Sequence, residues 1–199
     1  MPLKVLDCEN NRIYDARSYM YLSFRNTWIG SLPNSIGELQ NLETLDIRQT
    51  DMSEIRKEIS KLRKDSLRGV GKLKQLRDLM ITNFKGELGY TLCSSINEMQ
   101  FLEKLHINAL GYNEVIDFNF KSTQSALRKL CLRGKLKKLP NWIPRLENLL
   151  NLSLMYSELT NDPLESIKDM INLLFLAIKF VVCICGCGAA VMWWSLISH

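Results

Sequence analysis

The sequence predicts an α/β repeat solenoid, a horseshoe with one short parallel strand per repeat and short helices or 3₁₀ turns on the convex side. Three observations carry that prediction. One frame of apolar residues recurs along the chain. Five of the seven steps between its copies lie between 22 and 26 residues. Each copy passes from a turn into strand-like alternation.

The best-formed copy runs from Ser31 to Thr50, SLPNSIGELQNLETLDIRQT. Leu32, Ile36 and Leu39 are spaced for a short helical or 3₁₀ turn. Leu42, Leu45 and Ile47, with Thr50, follow the L-x-x-L-x-L-x-x-N/C/T frame of a leucine-rich repeat. The frame also starts at Leu3, Tyr19, Leu76, Leu102, Leu127, Leu149 and Leu173. By subtraction, the eight starts are 16, 23, 34, 26, 25, 22 and 24 residues apart. A single unit cannot bury its own leucines, so neighbouring copies must stack. The predicted repeat domain is 1–179, irregular near 11–18 and 64–70. An apolar tail rich in Cys and Trp occupies 180–199.

Composition narrows the function. Apolar residues make up 46% and charged residues 24%, which fits a globular chain. The net charge of +5 allows acidic partners but is too small to argue for nucleic acid, and no basic run studded with aromatics supports it. Met1-Pro2-Leu3-Lys4 leads directly into a repeat, so no signal peptide is expected. Cys8, Cys93 and Cys131 are too scattered for a disulfide framework, which fits a reducing compartment.

Taken in order, residues 1–18 are short of a full unit. The solenoid is expected to start abruptly, without a polar cap, like a piece of a longer chain. YLSFRNT and LDIRQT read as successive strands, with LPNSIGEL and MSEIRKEISKL as the turns. The run KLRKDSLRGVGKL breaks the period and reads as two repeats joined with material lost between them. Its Gly69–Lys72 segment lacks the phosphate-loop spacing, and Leu73 replaces the Ser/Thr that would hold Mg²⁺; a linker turn is expected instead. LCSSINEMQFL reads as a helix with Ile96, Met99 and Leu102 inward. NALGYNEVIDFNFKS reads as an irregular, mobile excursion. Trp142 is expected as a core or flank aromatic. Asp162 fits a helix N-cap, with Pro163 first in the helix and Glu165 in its first turn.

The stretch 180–197, FVVCICGCGAAVMWWSLI, carries no charge. As a helix it would span roughly 27 Å, close to a bilayer core. Phe180, Val181 and Val182, with Trp193 and Trp194 at headgroup level, make it a candidate membrane anchor, and all Lys and Arg lie on its N-terminal side. The rivals are an apolar extension packing on the last repeat, or residues translated past a natural exon boundary. Cys183, Cys185 and Cys187 lack zinc spacing and a nearby fourth ligand; inert thiols are favoured over acylation or metal.

Stacked strands align equal frame positions into columns on the concave face. One column reads Glu9, Arg25, Arg48, Thr82, Asn108, Arg133, Met155 and Lys179. Another reads Asp7, Ser23, Asp46, Met80, His106, Cys131, Ser153 and Ala177. The candidate partner-binding residues are Arg25, Asp46, Arg48, Lys104, His106, Arg133 and Met155, a partly basic strip for an acidic protein surface. The competing reading is an ordinary solvated face, with Asp46 pairing to Arg25 or Arg48. His106 and His199 are the only histidines, and no base, nucleophile and orienting group converge. No enzyme and no cofactor is expected.

SLPNSIGELQNLETLDIRQT, with LRKLCLRGKLKKLPNWIPRLENLLNLSLMYSELTNDPLESIKDMINLLFL, resembles the leucine-rich-repeat region of plant nucleotide-binding leucine-rich-repeat disease-resistance proteins of the coiled-coil class. The resemblance covers roughly residues 3–178. It implies a cytoplasmic horseshoe that senses pathogens and restrains a nucleotide-binding switch. The implied partner is a pathogen effector, a guarded host protein, or a nucleotide-binding domain in a full-length relative. The chain shows no phosphate-binding loop and no coiled-coil segment, so it is expected to lack that switch. S-L-P-N and K-L-P-N stand where extracellular plant repeats have G-x-I-P. A membrane-tethered adaptor or decoy, and a non-functional gene fragment, remain the alternatives.

Overall fold

Leucine periodicity becomes a ladder of short strands. The computed structural model describes residues 20–27, 32, 36–37, 39–50, 73–111, 114–116, 118, 120, 125–183 and 189–197, with backbone alone from 180 onward. The first frame, the turn MSEIRKEISKL and the period break near 64–70 lie outside the described residues, as does Gly69–Lys72. The strands are β1 (Tyr21–Ser23), β2 (Thr44–Ile47), β3 (Asp78–Phe84), β4 (Lys104–Ala109), β5 (Lys129–Arg133), β6 (Asn151–Ser157), β7 (Phe175–Cys183) and β8 (Ala189–Ile197). They form one sheet in sequence order. The chain is a repeat solenoid: β1 to β7 are parallel, one strand per repeat.

Register follows the apolar frame. Leu22, Leu45, Leu79, Leu105, Leu130, Leu152 and Leu176 are Cα partners in succession and all are buried. Ile47, Ile81, Ile107, Leu132, Leu154 and Ile178 form a second buried row. Each such side chain stabilises by about 1.5–3 kcal/mol relative to an exposed one. A one-residue slip would bring the whole row to the surface, so the register is strongly specified.

The convex layer is short. A 3₁₀ turn over Gly86–Leu88 leads into α1 (Gly89–Asn97), which buries Leu92, Cys93 and Ile96; Met99 and Leu102 follow them into the core. In α2 (Pro163–Ile167), the Asp162 carboxylate accepts from the Leu164 N–H at 2.9 Å, with Pro163 in the first turn. That cap satisfies an orphan donor and stops the helix fraying at its start.

The backbone leaves the sheet through a recurring corner. Two residues past the third apolar position, Asn26, Gln49, Asn83 and Tyr156 have φ of 59°, 55°, 55° and 60°. At the same place in β5's repeat stands Gly134, with φ 153°. Left-handed residues are uncommon outside glycine. Their recurrence at one frame position shows a corner imposed by stacking and not by local preference alone. Asn83 Nδ2 donates to the Thr50 carbonyl of the preceding repeat at 2.8 Å, tying two corners together.

Three sequence expectations change. The 34-residue step is a single repeat step: β2 is hydrogen-bonded directly to β3, with Leu45 opposite Leu79. The extra length therefore belongs between strands. The excursion after β4 is irregular, but three of its apolar side chains enter the core. Ile116, Phe118 and Phe120 are buried, and Val115 bridges Lys135. The described part of the tail does not form the candidate membrane helix. Phe180, Val181 and Val182 lie in β7, and Trp193 and Trp194 lie in β8, which pairs antiparallel with β7. β-Branched and aromatic residues favour a strand, and glycines penalise a helix. A returning strand also pairs the open edge of β7. Among the described residues, no helix is long and apolar enough to cross a membrane. Cys185 and Cys187 lie outside the described residues.

Candidate partner-binding face

Alternation along each strand sends one set of side chains to the core and the other to the open face of the sheet. Register then builds columns. The first is Tyr21, Thr44, Asp78, Lys104, Lys129, Asn151 and Phe175. The second is Ser23, Asp46, Met80, His106, Cys131, Ser153 and Ala177. The second column is one of the two expected from the sequence, and the third keeps part of the other. In the third, Asn108, Arg133, Met155 and Lys179 align. Thr82 does not join them, because the register shifts between Ile81 and Phe84; its hydroxyl accepts from the Gln49 N–H at 2.6 Å.

Charge is organised along these columns. Asp46 is buried and holds Arg48 in a fork, with Nε at 2.9 Å and Nη2 at 2.7 Å. Arg48 also donates its backbone N–H to the same carboxylate at 3.0 Å. Burial raises the Asp46 pKa, but the hydrogen bonds from Arg48 outweigh it and the net direction is down. Bidentate geometry fixes the guanidinium plane. Arg25 turns instead to Gln49, Nε to Oε1 at 3.3 Å. Of the two pairings weighed for Asp46, the one formed is with Arg48. Lys104 approaches Asp78 at 3.7 Å. Lys129 makes no ion pair among the described residues.

At the other end, a side chain that the sequence did not single out becomes central. Tyr156 lies between two cations: Arg133 Cζ is 4.7 Å and Lys179 Nζ 4.9 Å from its ring centroid. Arg133 Nη2 also donates to the phenol oxygen at 3.1 Å. Cation–π contacts of this kind are worth about 0.5–1 kcal/mol at exposed sites. They hold two positive groups side by side. The signal was present in the frame, since Tyr156 takes the corner position of Asn26 and Asn83. A left-handed tyrosine is not legible from residue type.

His106 and Cys131 are Cα partners. Burial is the main reason that His106 titrates below its ordinary value and the Cys131 thiol above its own. Both are therefore held neutral, and a thiol raised in pKa is a poor nucleophile. No group of three potential metal ligands exists among the described residues.

These directions give a pH prediction. The folded chain binds a proton at His106 less readily than the unfolded chain. Stability should fall as pH drops through the ordinary histidine range, about 6.5. Asp46 contributes stability above the ordinary carboxylate range, lost on further acidification. Urea midpoints should therefore decline from pH 7 to 5. His106→Gln should flatten that part of the curve and leave the fall below about pH 4 in place. An unchanged slope between pH 7 and 5 in the variant would refute the assignment.

A recess lies on the flank, past the C-terminal ends of β4 and β5. Phe118, Phe120 and Trp142 line it, as part of an aromatic ladder that begins at Phe84. Phe84 and Phe118 rings are 5.3 Å apart, Phe118 and Phe120 5.9 Å, and Phe120 meets Trp142 edge-on at 4.4 Å. Trp142 is buried, as expected for a core or flank aromatic, and its Nε1 donates to the Phe118 carbonyl at 2.7 Å. The cleft has a volume of about 630 Å³ and is rimmed by Lys137, Lys138 and Arg145.

The family described as leucine-rich repeat region matches residues 63–188. Over 111 residues, 56% of this chain, the sequence is 27% identical to the Disease resistance protein RPM1 of Arabidopsis thaliana. That match spans 12% of the relative's own length. A leucine-rich-repeat protein of Leptospira interrogans, of solved structure, aligns over 84% of this chain and 51% of its own, at 17% identity and a TM-score of 0.43.

Proposed function

This chain belongs to the leucine-rich repeat region family, and from that premise we propose that it is a non-enzymatic protein-interaction module of the plant immune-receptor type. The similarity to RPM1 supports the disease-resistance setting. The carrying observation is the open face of the sheet, where Lys104, Lys129, Arg133 and Lys179 outnumber Asp46 and Asp78 along aligned columns. A rigid row of cations selects partners by charge and shape spread over several repeats. The partner is an acidic protein surface: a pathogen effector, a guarded host protein, or a nucleotide-binding domain of a longer relative. The role is sensing or regulation in the cytoplasm. Arg25, Arg48 and Asp46 mark one end of the contact. Lys104 and His106 mark the middle, and Arg133 and Met155 the other end.

Site-specific photo-crosslinking in leaf tissue tests this. A crosslinker in place of His106 or Met155 should capture a discrete protein, and one in place of Lys168, at the C-terminal cap of α2, should not. With that protein purified, Arg48→Glu and Arg133→Glu should each weaken binding at least tenfold, with a stronger effect at low salt. Equal capture from both faces, or affinity unmoved by charge reversal, would sink the reading.

A further inference from the structure

We propose that the flank cleft is a second docking site, which seats an acidic peptide segment of a protein partner. Its carboxylates would meet Lys137, Lys138 and Arg145, and an apolar side chain would enter over Leu139 and Trp142. The inference rests on the cleft and its cations, and stands whether or not the open face of the sheet binds a partner.

Three features support it. First, the cations are uncommitted among the described residues. Lys135, nearby in sequence, is consumed by Glu158. Lys137, Lys138 and Arg145 are exposed and make no ion pair among the described residues. No carboxylate is among the described residues that line the cleft. Three neighbouring positive groups with no ion-pair partner among the described residues repel one another, and an anionic ligand relieves that repulsion. Second, the floor is apolar and rigid. Trp142 is fixed by its hydrogen bond to Phe118 and by the edge-on contact with Phe120, so little ordering remains to oppose binding. Third, the size fits. About 630 Å³ lies within the usual range of ligand pockets.

The same features argue against a lipid surface. Membrane-binding faces project apolar side chains into the headgroup layer. Here Phe118, Phe120 and Trp142 are recessed, at 2%, 6% and 6% exposure, below the ring of cations. A recess receives an inserted side chain and cannot itself insert.

The test uses the full chain labelled with 5-fluorotryptophan, with the Trp142 resonance assigned through Trp142→Phe. The probes are the octapeptide EDLEEDLE, its basic counterpart KRLKKRLK, and phosphatidylserine vesicles. EDLEEDLE should shift the Trp142 resonance saturably at low salt. The Lys137→Glu/Lys138→Glu pair should weaken that binding at least tenfold, and Arg48→Glu on the sheet face should leave it intact. The milder Lys138→Gln/Arg145→Gln pair should reduce it in the same direction, so a folding defect in the first pair does not decide the result. The proposal is overturned if EDLEEDLE leaves the Trp142 resonance in place, or if KRLKKRLK binds equally well. It is also overturned, in favour of a lipid headgroup, if vesicles move the resonance and EDLEEDLE does not.

Discussion

Phe118→Ala is expected to destabilise the chain by about 3–5 kcal/mol, seen as a fall in the urea midpoint. Phe118 is fully enclosed, with Phe84 on one side and Phe120 on the other. Truncation removes the transfer free energy of the ring and leaves a cavity between two repeats that neither can close alone. The Phe118 carbonyl that receives Trp142 Nε1 survives the change, so the loss is one of packing. Phe101→Ala is the control. Phe101 is also aromatic, but 45% exposed, and its removal should stay within about 0.5 kcal/mol. A Phe118→Ala cost below about 1 kcal/mol would mean that the segment after β4 is not part of the cooperative unit.

The second large effect is at the corner of β5. Gly134→Ala is expected to cost about 2–4 kcal/mol, from overpacking together with backbone strain. A Cβ there would lie 2.7 Å from the Ala109 Cβ and 2.7 Å from the Ile116 Cδ1. The isoleucine terminus can rotate away. The alanine Cβ is fixed to β4 and cannot, unless the strand moves. The φ of 153° adds strain for any side chain. Ala109→Gly should therefore rescue part of the loss, with a coupling of about 0.5–3 kcal/mol in a double-mutant cycle. If the two changes are additive, the contact is not the cause. Gly134 has a special place because the segment of Ile116 folds back against β5, with the Ile116 N–H donating to the Lys135 carbonyl at 2.9 Å.

Much of the open face was legible before folding. Its columns depend on two periods alone, the alternation of a strand and the repeat of the leucine frame. Asp46, His106 and Cys131 therefore fall where the frame places them. The partner of Asp46 was narrowed to Arg25 or Arg48, and the structure forms the pair with Arg48. Tyr156 was not legible, since its value comes from Arg133 and Lys179, one repeat to either side. The flank cleft was hidden for the same reason. Phe118 and Trp142 are 24 residues apart in sequence, and only the stacking of two units joins them.

The tail shows the opposite limit. Its apolar composition is compatible with a membrane helix and with a strand, because hydropathy measures burial and not conformation. The choice fell to β7, whose unpaired backbone edge is satisfied by an antiparallel partner. The sequence by itself determined the repeat, the register of the buried leucine rows and the helix cap at Asp162. Each of these is set by side chains within one unit, or by a period that every unit shares. Tertiary structure alone decided the single step from β2 to β3, the packing of the segment after β4, the clamp around Tyr156, the cleft and the strand in the tail. Each of those depends on which unit stands beside which, and on the backbone hydrogen bonds and cavities that only neighbours can fill.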